Sequence, residues 1–276
     1  MIIDTHQHLL YPEHFTYEWA ADLPALQGTF SLADYWAQAD DRISGSLFME
    51  VDVAEAEQGD EARFFCGLAE NPESKIRGVI ASARPEKEGF ATYLDSIAHP
   101  ALKGIRRVLH TLPGELPLND TFITNMQLLA QRGLTFDLCA LPHQYAELVP
   151  LVNACPDTQF ILDHCGIPPI SGDGFEAWKE GLRGLADAPH VSCKISGIVA
   201  YCAEGTLSAA TLAPWFDAVV DLFGHERILF GGDWPVCNLG SSLGGWLDMA
   251  TELTAEFSPA QQQAFWSGNA KRIYGV

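Results

Sequence analysis

Eight short apolar, β-rich runs recur along this chain, each followed by a longer stretch with helical periodicity. They cover residues 2–5, 46–51, 76–82, 104–109, 135–139, 159–162, 191–195 and 227–230. Strands and helices in strict alternation call for parallel strands joined by crossover helices. Eight such units in 276 residues leave no room for a second domain. The expectation is one α/β domain over residues 1–276, a closed (β/α)8 TIM barrel. An open doubly wound sheet would use similar elements, but it begins on a glycine-rich first turn, and DTHQHLLYP stands there instead.

The helices are marked by their caps. Ser31 with Asp34 forms a capping-box pattern before LADYWAQADD, and Asn119 or Asp120 opens TFITNMQLLAQR, which Gly133 ends. Pro85 begins a stretch through Ala98 that Pro100 stops, and residues 212–223 form an amphipathic helix ending at Gly224. Ser258, Pro259 and Gln261 open the last helix. Residues 196–210, with Gly197, Gly205 and Ser208, read as a long loop after the seventh strand, on the side of a barrel where loops shape substrate access.

Charge narrows the partners. With 36 acidic against 16 basic residues the net charge is −20, a field that repels phosphate backbones and anionic membranes. No nucleic-acid or membrane partner is expected, and the oligomeric state leaves no trace in the sequence. No apolar run approaches the ~18–20 residues of a membrane span, and Met1 leads into IIDTHQH without a secretion-type leader. Seven cysteines, an odd number without a CxxC, read as reduced thiols in a cytoplasmic protein. Cys139, Cys165, Cys193 and Cys237 fall near strand ends and read as small packing residues.

Polar residues at the C-terminal ends of barrel strands converge on one face. The first run ends in Asp4-Thr5-His6-Gln7-His8, and the period of two puts His6 and His8 on the same side. Two imidazoles on one face are ready ligands for a borderline ion such as zinc; solvated or capping histidines are the plainer reading. His164 follows the sixth strand in LDHCG, and Asp233 follows the eighth in GGDWP, where two glycines permit close approach to a ligand. Asp233 is placed to hold a metal or to take a proton from water. The second strand offers Glu50 and Asp52, and the fifth leads to His143. In KGIRRVLH, Arg106 and either Leu109 or His110 compete for the mouth, and the seventh strand gives Lys194. In so acidic a chain Arg106 and Lys194 either hold a carboxylate or carbonyl oxygen, or pair with a nearby acid.

DTHQH, LDHCG, GGDWP and the closing NAKRIYG, with KGIRRVLH and CKISG between, resemble the amidohydrolase 2 family over essentially the whole chain. Within it the likeness is to the sugar-lactone branch, the L-fuconolactonase and L-rhamnonolactonase type. The resemblance implies a hydrolytic barrel that opens a sugar lactone or related carboxylated lactone to the hydroxy acid. His6, His8, Glu50, His164 and Asp233 would be the metal-binding set, for one divalent ion, zinc by preference, although some members work without a metal. Asp233, His164 and Arg106 would be catalytic, with His143, Lys194, Trp234 and Tyr201 touching substrate. Lys103 lies at the beginning of its strand, the wrong end for the carbamate bridge of binuclear members. Metal-dependent decarboxylation is the nearest alternative, and a non-catalytic sugar-acid binding barrel is the alternative of another class.

Overall fold

The computed structural model describes residues 1–112 and 116–276. Its eight strands are β1 (Ile3–Gln7), β2 (Gly45–Met49), β3 (Ile76–Ser82), β4 (Leu102–Val108), β5 (Thr135–Cys139), β6 (Phe160–Leu162), β7 (Val191–Ile195) and β8 (Ile228–Phe230). All are parallel and pair in sequence order. β8 meets β1 through a bridge between Gln7 and Trp234, with His8 N donating to Trp234 O (2.8 Å) and Asp233 N to His6 O (2.7 Å). This is a TIM barrel. Nearly every strand residue is buried, as expected where helices cover one face of each strand and the barrel interior the other.

The helices α1 (Leu32–Ala39), α2 (Gln58–Ala69), α3 (Phe90–Ser96), α4 (Asp120–Gln131), α5 (Tyr145–Ala154), α6 (Phe175–Ala186), α7 (Ala209–Phe223) and α8 (Leu243–Leu253) separate and follow the strands. Their caps hold the chain where the sequence indicated. Ser31 and Asp34 close a capping box, Asn119 accepts from Phe122 N, and Ser258 with Gln261 opens α9 (Pro259–Gln263). Two boundaries differ. Pro85 opens a turn rather than a helix; α3 begins only after Gly89, whose φ of 84° an L side chain adopts with strain. The stretch 196–210 is not wholly a loop, because Ile198–Tyr201 forms a 3-10 turn and Ser208 already caps α7.

Most of the apolar core lies between barrel and helices, the largest shell a fold of this kind can bury. A second cluster fills the barrel itself: Ile3, Leu47, Met49, Ile80, Ile161 and Leu229, closed by Ala270 and Tyr274 of α10 (Asn269–Tyr274). The end away from α10 is left to polar residues, and the site lies there. No described helix is long and apolar enough to cross a membrane.

Candidate active site

The end of β1 departs from regular pairing: its register against β2 shifts between Asp4 and Gln7. The Asp4 carboxylate takes up the irregularity, accepting from His6 N (2.9 Å), Gly232 N (2.7 Å) and the Tyr35 hydroxyl (2.7 Å). It thereby ties the first strand to the glycines before Asp233. His6 and His8 are buried with their Nε2 atoms 3.1 Å apart. His8 Nδ1 faces the Met49 carbonyl at 3.0 Å, and since a carbonyl only accepts, the proton of neutral His8 sits on Nδ1. His6 Nδ1 faces Asp163 Oδ1 at 3.4 Å, a charge contact longer than a well-formed hydrogen bond. It likewise favours the proton on Nδ1. Both Nε2 lone pairs then point at each other and at Asp233 Oδ1, which is 3.6 Å from His6 and 3.4 Å from His8.

The other two contributors come from strained turns. His164, Cys165, Gly166 and Ile167 have φ of 56°, 54°, 68° and 52°, a left-handed turn that costs a non-glycine residue roughly 1–2 kcal/mol per position. Tertiary bonds hold it: the Tyr145 hydroxyl donates to Gly166 O, and Trp178 Nε1 to Cys165 O (3.1 Å). The turn swings His164 over the site, where its Nδ1 lies 3.0 Å from Ser196 Oγ and 3.9 Å from Asp233 Oδ2. Asp233 is itself left-handed, at φ 54°. Gly197 lies against both: a Cβ there would come within 2.6 Å of His164 Nδ1 and 2.7 Å of Asp233 Oδ2. Strain concentrated in this way is typical of functional sites.

The donor set fits a metal ion. A tetrahedral site with ligand bonds of about 2.0–2.1 Å has ligands roughly 3.3 Å apart, and the three separations here are 3.1, 3.4 and 3.6 Å. Facing lone pairs repel unless a cation or proton lies between them. Burial holds His6 well below its ordinary pKa and His8 down at about 3, so both are neutral, the ligating form. Glu50, Asp137, Asp163 and Asp233 are all buried around the histidines, against the two cations Arg106 and Lys194. Burial alone would raise Asp163, but Lys194 and His6 outweigh it and hold the carboxyl well below the usual range. Asp233 goes the other way, pushed by burial up to about 6. A second set of donors, His6, Asp163 and His164, overlaps the first.

The structure brings His6, His8, His164, Asp233 and Arg106 together and sets Tyr201 in the cavity wall above them. Four expectations are corrected. Glu50 is no ligand: its Oε1 accepts from Arg106 Nε (2.5 Å) and its Oε2 from Asp52 N (2.7 Å), so both oxygens are engaged. Lys194 does not reach substrate. It is 0% exposed, donating to Asp137 Oδ1 (2.5 Å) and lying 3.3 Å from Asp163 Oδ1 inside the barrel. Trp234 is buried between Phe30 and Tyr35, and His143 is exposed on a turn outside the cavity lining. Sequence reasoning missed Asp163, which stands beside His164 in LDHCG, and left His110 undecided against Leu109. His110 lines the cavity, while Leu109 is buried in the core.

Residues 3–276 match the family model described as Amidohydrolase. A protein known as y4mH from Sinorhizobium fredii is 27% identical over 100% of this chain and 98% of its own length. The L-fucono-1,5-lactonase of Burkholderia multivorans is also 27% identical, covering 99% of this chain and 96% of that protein. Among solved structures, an amidohydrolase from Burkholderia multivorans with bound zinc superposes at a TM-score of 0.89, with 25% identity, over 100% of this chain and 99% of that one.

Proposed function

The chain belongs to the amidohydrolase family, and from that premise we propose that it hydrolyses a lactone to its hydroxy acid. One observation carries the reading: two neutral imidazoles and a carboxylate oxygen converge at ligand spacing, with His8 and Asp233 lining a cavity of about 360 Å³ and His6 buried against them. The lactonase among the relatives supports the choice of bond.

His6, His8 and Asp233 would hold a single divalent ion, zinc being the best match to a nitrogen- and oxygen-donor set of this size. When bound, such an ion polarises a carbonyl oxygen and lowers the pKa of water. The chain's own residues do the rest. Asp233 divides its oxygens: Oδ1 turns to the histidines, and Oδ2 faces His164 at 3.9 Å. Burial pushes this carboxyl up to about 6, and Oδ2, the oxygen turned away from the histidines, is the one placed to accept a proton from attacking water. The same oxygen returns that proton to the ring oxygen as the ester C–O bond breaks, which balances the hydrolysis. Arg106 lies at the cavity edge and Glu50 keeps it charged, outweighing burial, so it adds a fixed positive potential beside the developing oxyanion. His164, bonded to Ser196, stands beside the Oδ2 side of the carboxylate. All seven cysteines are unpaired, which supports a reducing compartment, the cytoplasm.

The test is a lactone panel followed with a pH indicator, on protein whose metal content is measured beforehand. Acid release that is lost in Asp233→Asn supports the reading. Full activity in protein stripped of metal would remove the ion and leave Asp233 and Arg106 as the catalytic groups. Wild-type turnover by Asp233→Asn would remove the base.

A further inference from the structure

Above its polar floor the cavity is walled by Trp19, Val51, Val108, Leu141, Ile167 and Val236. The indole N–H of Trp19 already donates to Val51 O (2.8 Å), so what Trp19 presents is an apolar face. Besides its charged groups and His8 and His164 of the floor, the described lining offers four hydrogen-bonding side chains: His110, Thr111, Cys139 and Tyr201. One of these, His110, has Nδ1 3.2 Å from Cys139 Sγ. The charges are equally one-sided. Among the described lining residues Arg106 is the single Lys or Arg, and its Nε and Nη2 are spent on Glu50. The carboxylates Asp52 and Asp233 line the same space.

We infer that the substrate is an uncharged lactone bearing an alkyl or aryl substituent that lies against this wall, rather than a polyhydroxylated or carboxylated ring. The inference rests on the lactone reading above. A hydroxyl buried without a partner weakens binding roughly 5- to 150-fold, and a sugar lactone brings several to a wall with few partners. Each methylene removed from water strengthens binding about fourfold instead. A substrate carboxylate would find one cationic side chain in the described lining, Arg106, with only its Nη1 not already donating to Glu50.

The experiment compares kcat/KM of the metal-loaded enzyme on four six-membered lactones: δ-valerolactone, the same ring with a butyl chain, an aldono-1,5-lactone, and a pyrone dicarboxylate. The butyl compound is expected to exceed δ-valerolactone by about 30-fold or more, and the hydroxylated and carboxylated rings to fall below it. If either polar ring is processed best, the inference is overturned while lactone hydrolysis stands. If none of the four is opened, lactone hydrolysis itself falls. Leu141→Asn should then shrink the butyl-to-unsubstituted ratio about tenfold; an unchanged ratio would remove Leu141 from the substrate wall. Should that variant not fold, Val236→Thr, nearly isosteric, makes the same test.

Discussion

Two buried cations in this barrel look alike in sequence and do opposite things. Arg106 of β4 and Lys194 of β7 both lie in the second half of their strands, and both pair with a carboxylate at 2.5 Å. Arg106 is 5% exposed and looks into the cavity; Lys194 is sealed inside the barrel against Asp137 and Asp163, under the Tyr274 ring at 5.5 Å. The mouth thus keeps its charges in reach of a ligand, and the interior spends its charges on one another.

The comparison breaks most decisively at Asp233. Asp233→Asn should lower kcat by about 10²–10⁴-fold, with a melting temperature close to that of the parent. A large stability loss with unchanged kcat would show that the mouth, too, is architecture. At the other pole, Lys194→Met leaves Asp137 and Asp163 buried without their cation and should cost about 3–5 kcal/mol in urea unfolding. Adding Asp137→Leu should recover much of that loss, since it removes one of the stranded acids. Equal stabilities of Lys194→Met and wild type would mean that the interior pair holds nothing together.

Gly197→Ala sharpens the boundary, because it inserts one methyl between His164 and Asp233 at a φ of 68°. An activity loss of roughly 10- to 100-fold is expected, with about 1–2 kcal/mol of destabilisation; loss of stability alone would place this glycine with the architecture. The smallest effect concerns protons. Asp233 is held up to about 6 in the metal-free protein, whereas His8 is held down at about 3. Metal binding should therefore release more protons from Asp233 at pH 5 than at pH 7. Calorimetry in buffers of different ionisation heat reads this directly, and equal proton release at both pH values would show that Asp233 is not a ligand held protonated near pH 6.

The fold was legible because its signals are local. Alternating apolar runs and caps such as Ser31, Asn119 and Ser258 depend on neighbours a few residues away. So was the nucleus of the site, since His6, His8, His164 and Asp233 each end a strand that the pattern already marks. The failures share one cause. Whether Lys194 or Trp234 faces substrate depends on where its strand stops and which way the following turn leaves, and Asp233 and His164 leave through left-handed turns that nothing in the sequence announces. Glu50 read as either an extra ligand or an ion-pair partner, and the partner that decides between them, Arg106, is 56 residues away. Asp163 is hidden for the same reason: β6 stops at Leu162, and the turn from Asp163 onward decides where that carboxylate points.

The donors that meet at the floor come from the first strand and from the turn after the last. His6 and Asp233 are joined backbone to backbone across nearly the full length of the chain. A ribosome-bound chain that has not yet emitted β8 therefore has the two imidazoles and no carboxylate to complete them. Contacts this remote form late, after the intervening strands have ordered. A donor set divided between the two ends of the chain would be complete only once the barrel has closed, and a nascent or misfolded chain would offer an ion no more than a loose pair of histidines.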